Sequence, residues 1–205
     1  MKKTKNISVA IVGSHYSGKT TLGKLLQEKY NFVFFEEEWF NNPLKEYDYF
    51  HKEVWFLLHR IEALEKALKL KKEGKNVALD TLPESTLIFA KTKLDKKEFK
   101  IFFELYKYLI RLVEYPDKVI YLKASPEFLY KVRLPQRVKE KTGPPGEEKT
   151  PFSWLKKIIA LHHKTFSKWE KTDIITINVE TVDIKRDTKK IIKAIYSPER
   201  KIVLE

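Results

Sequence analysis

Short apolar runs alternate along the chain with longer stretches in which apolar side chains recur every three or four residues. The run Ile7-Ser8-Val9-Ala10-Ile11-Val12 is β-branched and too short for a typical helix, and it predicts a buried first strand. Helical spacing follows, with Leu22, Leu25 and Leu26 on one face, and residues 31–35 predict a second strand. Residues 47–73 carry a long helical period that turns Val54, Leu57, Leu58, Ile61, Leu64 and Leu68 inward with Trp55 beside them, and Gly74 is a helix-stop signal. Strands are predicted again at 77–79, 119–122 and 174–177, separated by helical patterns at 96–114, 153–171 and 183–196 and by a helix that starts at Pro126. A short basic tail closes the chain. Five strands alternating with amphipathic helices predict an α/β fold of three layers with a five-stranded parallel sheet.

Composition narrows the picture. The 205 residues fit one domain, 1–205, with a sizeable core. No apolar run is long enough to span a membrane, and Met1-Lys2-Lys3 has no apolar stretch of a signal peptide behind it. The absence of cysteine excludes disulfides and thiolate chemistry and fits a cytoplasmic protein. Net charge is +13, from 41 Lys and Arg against 28 Asp and Glu, but the lysines are spread along the whole chain. That dispersal argues for an anionic small substrate and against a nucleic-acid partner. Abundant Lys, Glu and Ile with few glutamines point to a thermophile.

The strongest chemical signal is Gly13-Ser14-His15-Tyr16-Ser17-Gly18-Lys19-Thr20, which matches G-x-x-x-x-G-K-[ST] between the first strand and the first helix. Glycines at 13 and 18 let successive N–H groups converge on one point, and the following helix, opening near Thr21, adds its positive end. In such a loop Lys19 reaches the β- and γ-phosphates of ATP and the Thr20 hydroxyl ligates Mg2+. The second strand then delivers Glu36-Glu37-Glu38 to its carboxyl end, the side on which α/β sheets bind ligands.

From here the sequence resembles the deoxynucleoside kinase family, within the thymidylate kinase-like group of P-loop proteins. Residues 35–43, Phe-Glu-Glu-Glu-Trp-Phe-Asn-Asn-Pro, are similar to its Glu-Glu-Pro segment followed by Asn-Pro, with Glu38 replacing the proline. That resemblance implies Glu37 as the base that takes the proton of the sugar 5′-hydroxyl. Trp55-Phe56-Leu57-Leu58-His59-Arg60 resembles the family's aromatic-Phe-Leu-Leu-polar-Arg helix. It implies Arg60 on the substrate side and puts Glu53 where the family has a base-reading glutamine. Tyr47 or Tyr49 stands for a tyrosine that touches the sugar. In Asp80-Thr81-Leu82-Pro83-Glu84-Ser85 the family has acid-Arg-Ser; Asp80 keeps the magnesium-holding acid, whereas Thr81 lacks the guanidinium. Phe89 matches an aromatic that stacks on the nucleobase.

Residues 116–127 resemble the strand and turn that precede the family's helical lid, placed here at about 131–150. Register sets Lys131, Pro135 and Arg137 on three lid arginines, of which only Arg137 is retained; Arg133, one turn earlier, compensates, and Glu140 joins the substrate side. The Gly- and Pro-punctuated stretch 139–150 suits a mobile lid, and residues 178–181 lie where related kinases hold adenine. His162 and His163 lack metal-ligand spacing and are read as surface or packing residues.

The resemblance thus implies ATP- and Mg2+-dependent phosphorylation of a nucleoside 5′-hydroxyl, with a homodimer formed through the middle helices. A nucleoside monophosphate kinase and a non-catalytic nucleotide-binding relative are the alternatives. An ionised Glu53 offers only acceptors, which suits the adjacent N1–H and N2–H donors of guanine.

Overall fold

The computed structural model describes residues 6–37, 41–140 and 149–205. Its centre is a parallel sheet of six strands in the order β2-β3-β1-β4-β5-β6. These are β1 (Ser8–Gly13), β2 (Phe32–Phe35), β3 (Asn76–Asp80), β4 (Lys118–Lys123), β5 (Asp173–Asn178) and β6 (Lys201–Leu204). The sixth strand corrects the expected count of five. The tail Lys201-Ile202-Val203-Leu204 is too short and too charged at its ends to signal a strand, yet it pairs in parallel with β5 and buries Leu204.

Side-chain alternation along β1 explains the layers. Val9 and Ile11 point to one face, where α1 (Lys19–Tyr30) and α8 (Thr188–Ile195) supply Leu22, Leu26, Ile191 and Ile195. Ala10 and Val12 point to the other, against Leu64 and Leu68 of α2 (Tyr49–Lys72) and Ile158 and Phe166 of α7 (Phe152–Phe166). Both faces of β1 are therefore covered, as a continuous apolar run in a parallel sheet requires. A satellite core joins Leu57 of α2, Ala90 of α3 (Pro83–Lys93), and Phe102 and Tyr106 of α4 (Lys96–Ile110).

Local signals set the helix ends. The α2 helix stops where the Gly74 N–H bonds to the Lys71 carbonyl and the Lys75 N–H to that of Leu70. Asp95 and Glu98 cap α4 reciprocally through each other's backbone N–H groups. Several expected boundaries shift. The α4 helix ends at Ile110 and α7 at Phe166, short of the predicted 114 and 171. The last helix begins at Thr188 because the Asp183 carboxylate accepts from the Lys185 and Arg186 N–H groups and folds that stretch into a turn. Leu58, expected inside, is 50% exposed on the outer side of α2, while Glu53 and Arg60 are buried in its place.

After β4 the chain forms α5 (Pro126–Phe128), one π turn over Leu129–Arg133, and α6 (Leu134–Glu140). Pro135 accounts for the π turn. It has no N–H, and its ring would meet the carbonyl four residues back in a regular helix. The preceding Leu134 N–H instead bonds to the Leu129 carbonyl. Most of the Gly- and Pro-rich stretch read as the mobile lid, residues 141–148, lies outside the described residues, as does Glu38. Among the described residues no helix is long and apolar enough to cross a membrane.

Candidate active site

The strand order turns at β1, whose neighbours β3 and β4 lead away to opposite edges, and a ligand crevice opens at the carboxyl ends there. Gly13 and Gly18 carry φ values of 156° and 96°. A Cβ on Gly13 would lie 2.7 Å from Ser17 Oγ, and one on Gly18 would lie 2.8 Å from Ile184 Cδ1, so neither position admits a side chain. Inside the loop Ser17 Oγ donates to the Ser14 carbonyl at 2.9 Å, and Lys19 Nζ donates to the same carbonyl at 3.3 Å. The α1 helix starts at Lys19, so its first N–H groups face the crevice.

Two strand ends bring acids and their partners to this loop. Asp80, at the end of β3, accepts a 2.8 Å hydrogen bond from Thr20 Oγ1. Its other oxygen is enclosed and has no hydrogen-bond partner among the described residues. Burial raises the Asp80 pKa, and the nearby Lys19 ammonium opposes that shift. Glu37, just past β2, is held by Arg60 of α2, whose Nε donates to Oε1 at 2.7 Å; Arg60 also donates to Thr86 Oγ1 of α3. Thr81 follows Asp80 with φ 143°, a region costly for a β-branched residue, and its hydroxyl is 2.7 Å from Ser85 Oγ.

Beyond Glu37, helical spacing sorts the substrate side. Tyr49, Glu53 and Arg60 lie on one side of α2, and Thr86, Phe89 and Lys93 face them from α3. Glu53 is 1% exposed and its Oε1 lies 3.1 Å from Lys93 Nζ. Burial raises the Glu53 pKa despite the Lys93 and Arg60 charges. The Phe89 ring meets His15 edge-on at 5.2 Å and Trp154 of α7 at 6.4 Å. His15 has an enclosed Nδ1 without a hydrogen-bond partner among the described residues, and burial together with the Lys19 charge holds its pKa well below the usual value. Tyr47 is exposed and lies tilted against His51 at 5.5 Å, whereas the Tyr49 ring lies 5.2 Å from Lys93 Nζ.

Beside the phosphate loop lies a cavity of about 180 Å3 lined by Tyr16, Gly18, Lys19, Thr20 and Thr21 together with Arg133, Gln136, Arg137, Glu140 and Lys185. Arg133 and Arg137 thus share one wall, as their spacing predicted. Glu140 lies on this wall too, where Gln136 Nε2 donates to it at 3.0 Å, and not among the α2 and α3 side chains around Phe89. Four contributors escaped the sequence reading: Lys93, Thr86, Trp154 and Lys185. Lys93 was legible in principle, four residues after Phe89 on the same helix; Lys185 was legible only as a cation shortly past the end of β5.

Comparison with known proteins identifies the family. The deoxynucleoside kinase family model matches residues 9–199. The chain is 29% identical over 189 residues to deoxyguanosine kinase of Bacillus subtilis (strain 168), covering 85% of this chain and 87% of that protein. It is 26% identical over 201 residues to deoxyadenosine/deoxycytidine kinase of the same organism, covering 91% and 89%. The structure of deoxyadenosine kinase from M. mycoides with bound dCTP superposes with a TM-score of 0.74 at 19% identity, over 92% of this chain and 98% of that one. With the family match spanning nearly the whole chain, this protein belongs to the deoxynucleoside kinase family.

Proposed function

We propose that this phosphotransferase moves the γ-phosphoryl group of ATP to the 5′-hydroxyl of a nucleoside with Glu37 as general base. The observation that carries the assignment is the meeting of Glu37, Arg60, Asp80 and Thr20 at adjoining strand ends beside the phosphate loop. Glu37 accepts the 5′-hydroxyl proton as that oxygen bonds to the γ-phosphorus. The bond from the γ-phosphorus to the bridging oxygen breaks, and its electron pair leaves with ADP. Charge developing on the transferred group is met by Lys19 and by Arg133 and Arg137 on the facing wall. Lys185 is a further cation on that wall, suited to the ATP phosphates. The Thr20 hydroxyl and the enclosed Asp80 oxygen are hard oxygen donors that would hold Mg2+. Bound there, Mg2+ neutralises phosphate charge.

Arg60, and not Thr81, supplies the guanidinium beside Glu37. Both residues line one small cavity with Glu37 and Asp80, and the guanidinium reaches Glu37 from α2 instead of from position 81. Exposed Ile101 and Tyr108 lie on one side of α4, with exposed Leu112 just past its end, and support a homodimer through this helix, to be checked by light scattering. The function is tested by offering natural nucleosides and nucleoside monophosphates with ATP and Mg2+. Nucleoside monophosphate appearing in step with ADP is expected. Turnover confined to monophosphate acceptors would overturn the reading.

A further inference from the structure

Resting on the nucleoside-kinase reading, we propose that Lys93 acts with Glu53 as a base-specificity pair that selects guanine, Lys93 donating to O6 while Glu53 accepts from N1–H and N2–H. The pair bridges α2 and α3 beside the Phe89 ring. Lys93 Nζ lies 3.1 Å from Glu53 Oε1, 5.6 Å from the centre of the Phe89 ring and 5.2 Å from that of Tyr49. The carboxylate side chain is 2% exposed and the lysine side chain 29%, so the acid is enclosed and the lysine partly open to solvent. Arg60, the neighbouring cation, is already engaged by Glu37 and Thr86 and leaves Lys93 as the donor beside Glu53. A buried ion pair of this kind contributes little net stability over an apolar pair of similar volume, so its position over the ring expected to stack on the base calls for a recognition role.

Hydrogen-bond chemistry then singles out one base. An ammonium only donates and a carboxylate only accepts, so the pair presents one donor followed by two acceptors. Read along its pairing edge, guanine offers acceptor, donor, donor at O6, N1–H and N2–H, the full complement. Thymine offers acceptor, donor, acceptor and sets O2 against a carboxylate oxygen. Cytosine offers donor, acceptor, acceptor and meets the pair only in reversed order with one repulsion. Adenine, also reversed, donates from N6–H but sets N1 against a carboxylate oxygen and offers the ammonium nothing. In the free protein Lys93 and Glu53 satisfy each other, and guanine inserts between them while keeping both charges paired.

The test is steady-state phosphorylation of deoxyguanosine, deoxyadenosine, deoxycytidine, thymidine and 6-thiodeoxyguanosine, whose sulfur is a weak acceptor in place of O6. The expected result is a kcat/KM for deoxyguanosine at least about tenfold above the other natural bases and above the thio analogue. Lys93→Met is expected to lower deoxyguanosine kcat/KM by about 10- to 100-fold, mainly through KM, and to erase the difference between deoxyguanosine and the thio analogue. Lys93→Arg keeps a donor and is expected to keep that difference. If Lys93→Met does not fold, Lys93→Met combined with Glu53→Gln removes both charges and is expected to move the preference to adenine or cytosine. Equal efficiency across bases in the unmodified protein, or an equal loss for deoxyguanosine and its thio analogue in Lys93→Met, overturns the pair. Failure to phosphorylate any nucleoside would instead strike the kinase reading itself.

Discussion

Arg60 holds Glu37 by a single carboxylate oxygen, Nε donating to Oε1 at 2.7 Å with Nη2 on the same atom. The second oxygen lies outside that ion pair and is the one placed to take a proton. Glu37→Gln keeps the shape and the capacity to accept one of these bonds but cannot act as a base. Its kcat is expected to fall about 10²- to 10⁴-fold with ATP affinity unchanged. Glu36 provides the control. It pairs with Lys24 at 3.1 Å on the surface, its side chain 42% exposed, and Glu36→Gln is expected to stay near wild type in the same assay.

Lys19 has a different signature because it acts on the nucleotide. Its ammonium rests against the Ser14 carbonyl at 3.3 Å, a contact that ATP phosphates would replace. Lys19→Ala is expected to weaken ATP binding in calorimetry and abolish measurable turnover, while the circular dichroism spectrum stays native. Unchanged ATP affinity would remove the phosphate loop from the mechanism.

Asp80 separates stability from activity. Its raised pKa means that the folded state penalises the charged carboxylate, so at neutral pH the ionised group costs stability. Asp80→Asn retains an acceptor for the Thr20 hydroxyl and discards the buried charge. It is expected to melt at or above the wild-type temperature and yet lose activity, with a weakened response to Mg2+ in a metal titration. A lower melting temperature would show that the Lys19 charge outweighs desolvation at this position.

The readable and unreadable parts of the chain differ in physical kind. Strand β1, the phosphate loop and α1 were legible because their signals are local: a β-branched run, two glycines in demanding conformations and an apolar helical face. Asp80 and Glu37 were legible by position, each at the carboxyl end of a strand. Arg60 pairing with Glu37 was not, because it joins residues far apart in sequence and depends on how α2 packs. The same holds for Glu84, which reads as one letter of a turn but is buried and bound by Tyr106, Tyr115 and Lys171 from three separate segments. Strand β6 failed for another reason: four residues paired on one side carry too little pattern, and only the exposed edge of β5 gives them a place.

His162 offers a pH test of the packing behind Phe89. Its Nδ1 must donate to the Ile158 carbonyl at 2.9 Å, which fixes the neutral tautomer and leaves Nε2 enclosed with no hydrogen-bond partner among the described residues. Burial lowers the pKa from 6.5 to about 4. The folded state therefore resists a proton that the unfolded chain accepts at pH 6.5. The stabilisation is fully present above pH 6.5 and is lost as pH falls towards 4, amounting to about 2 kcal/mol of loss by pH 5. Urea unfolding of the unmodified protein at pH 7.5 and pH 5 is expected to show that loss together with contributions from other groups, the partly buried His15 among them. In His162→Leu the protein is less stable at pH 7.5, because the Ile158 bond and some packing go, but the drop between the two pH values is expected to shrink by about 2 kcal/mol. An undiminished drop would mean that His162 finds a partner for its second proton when charged.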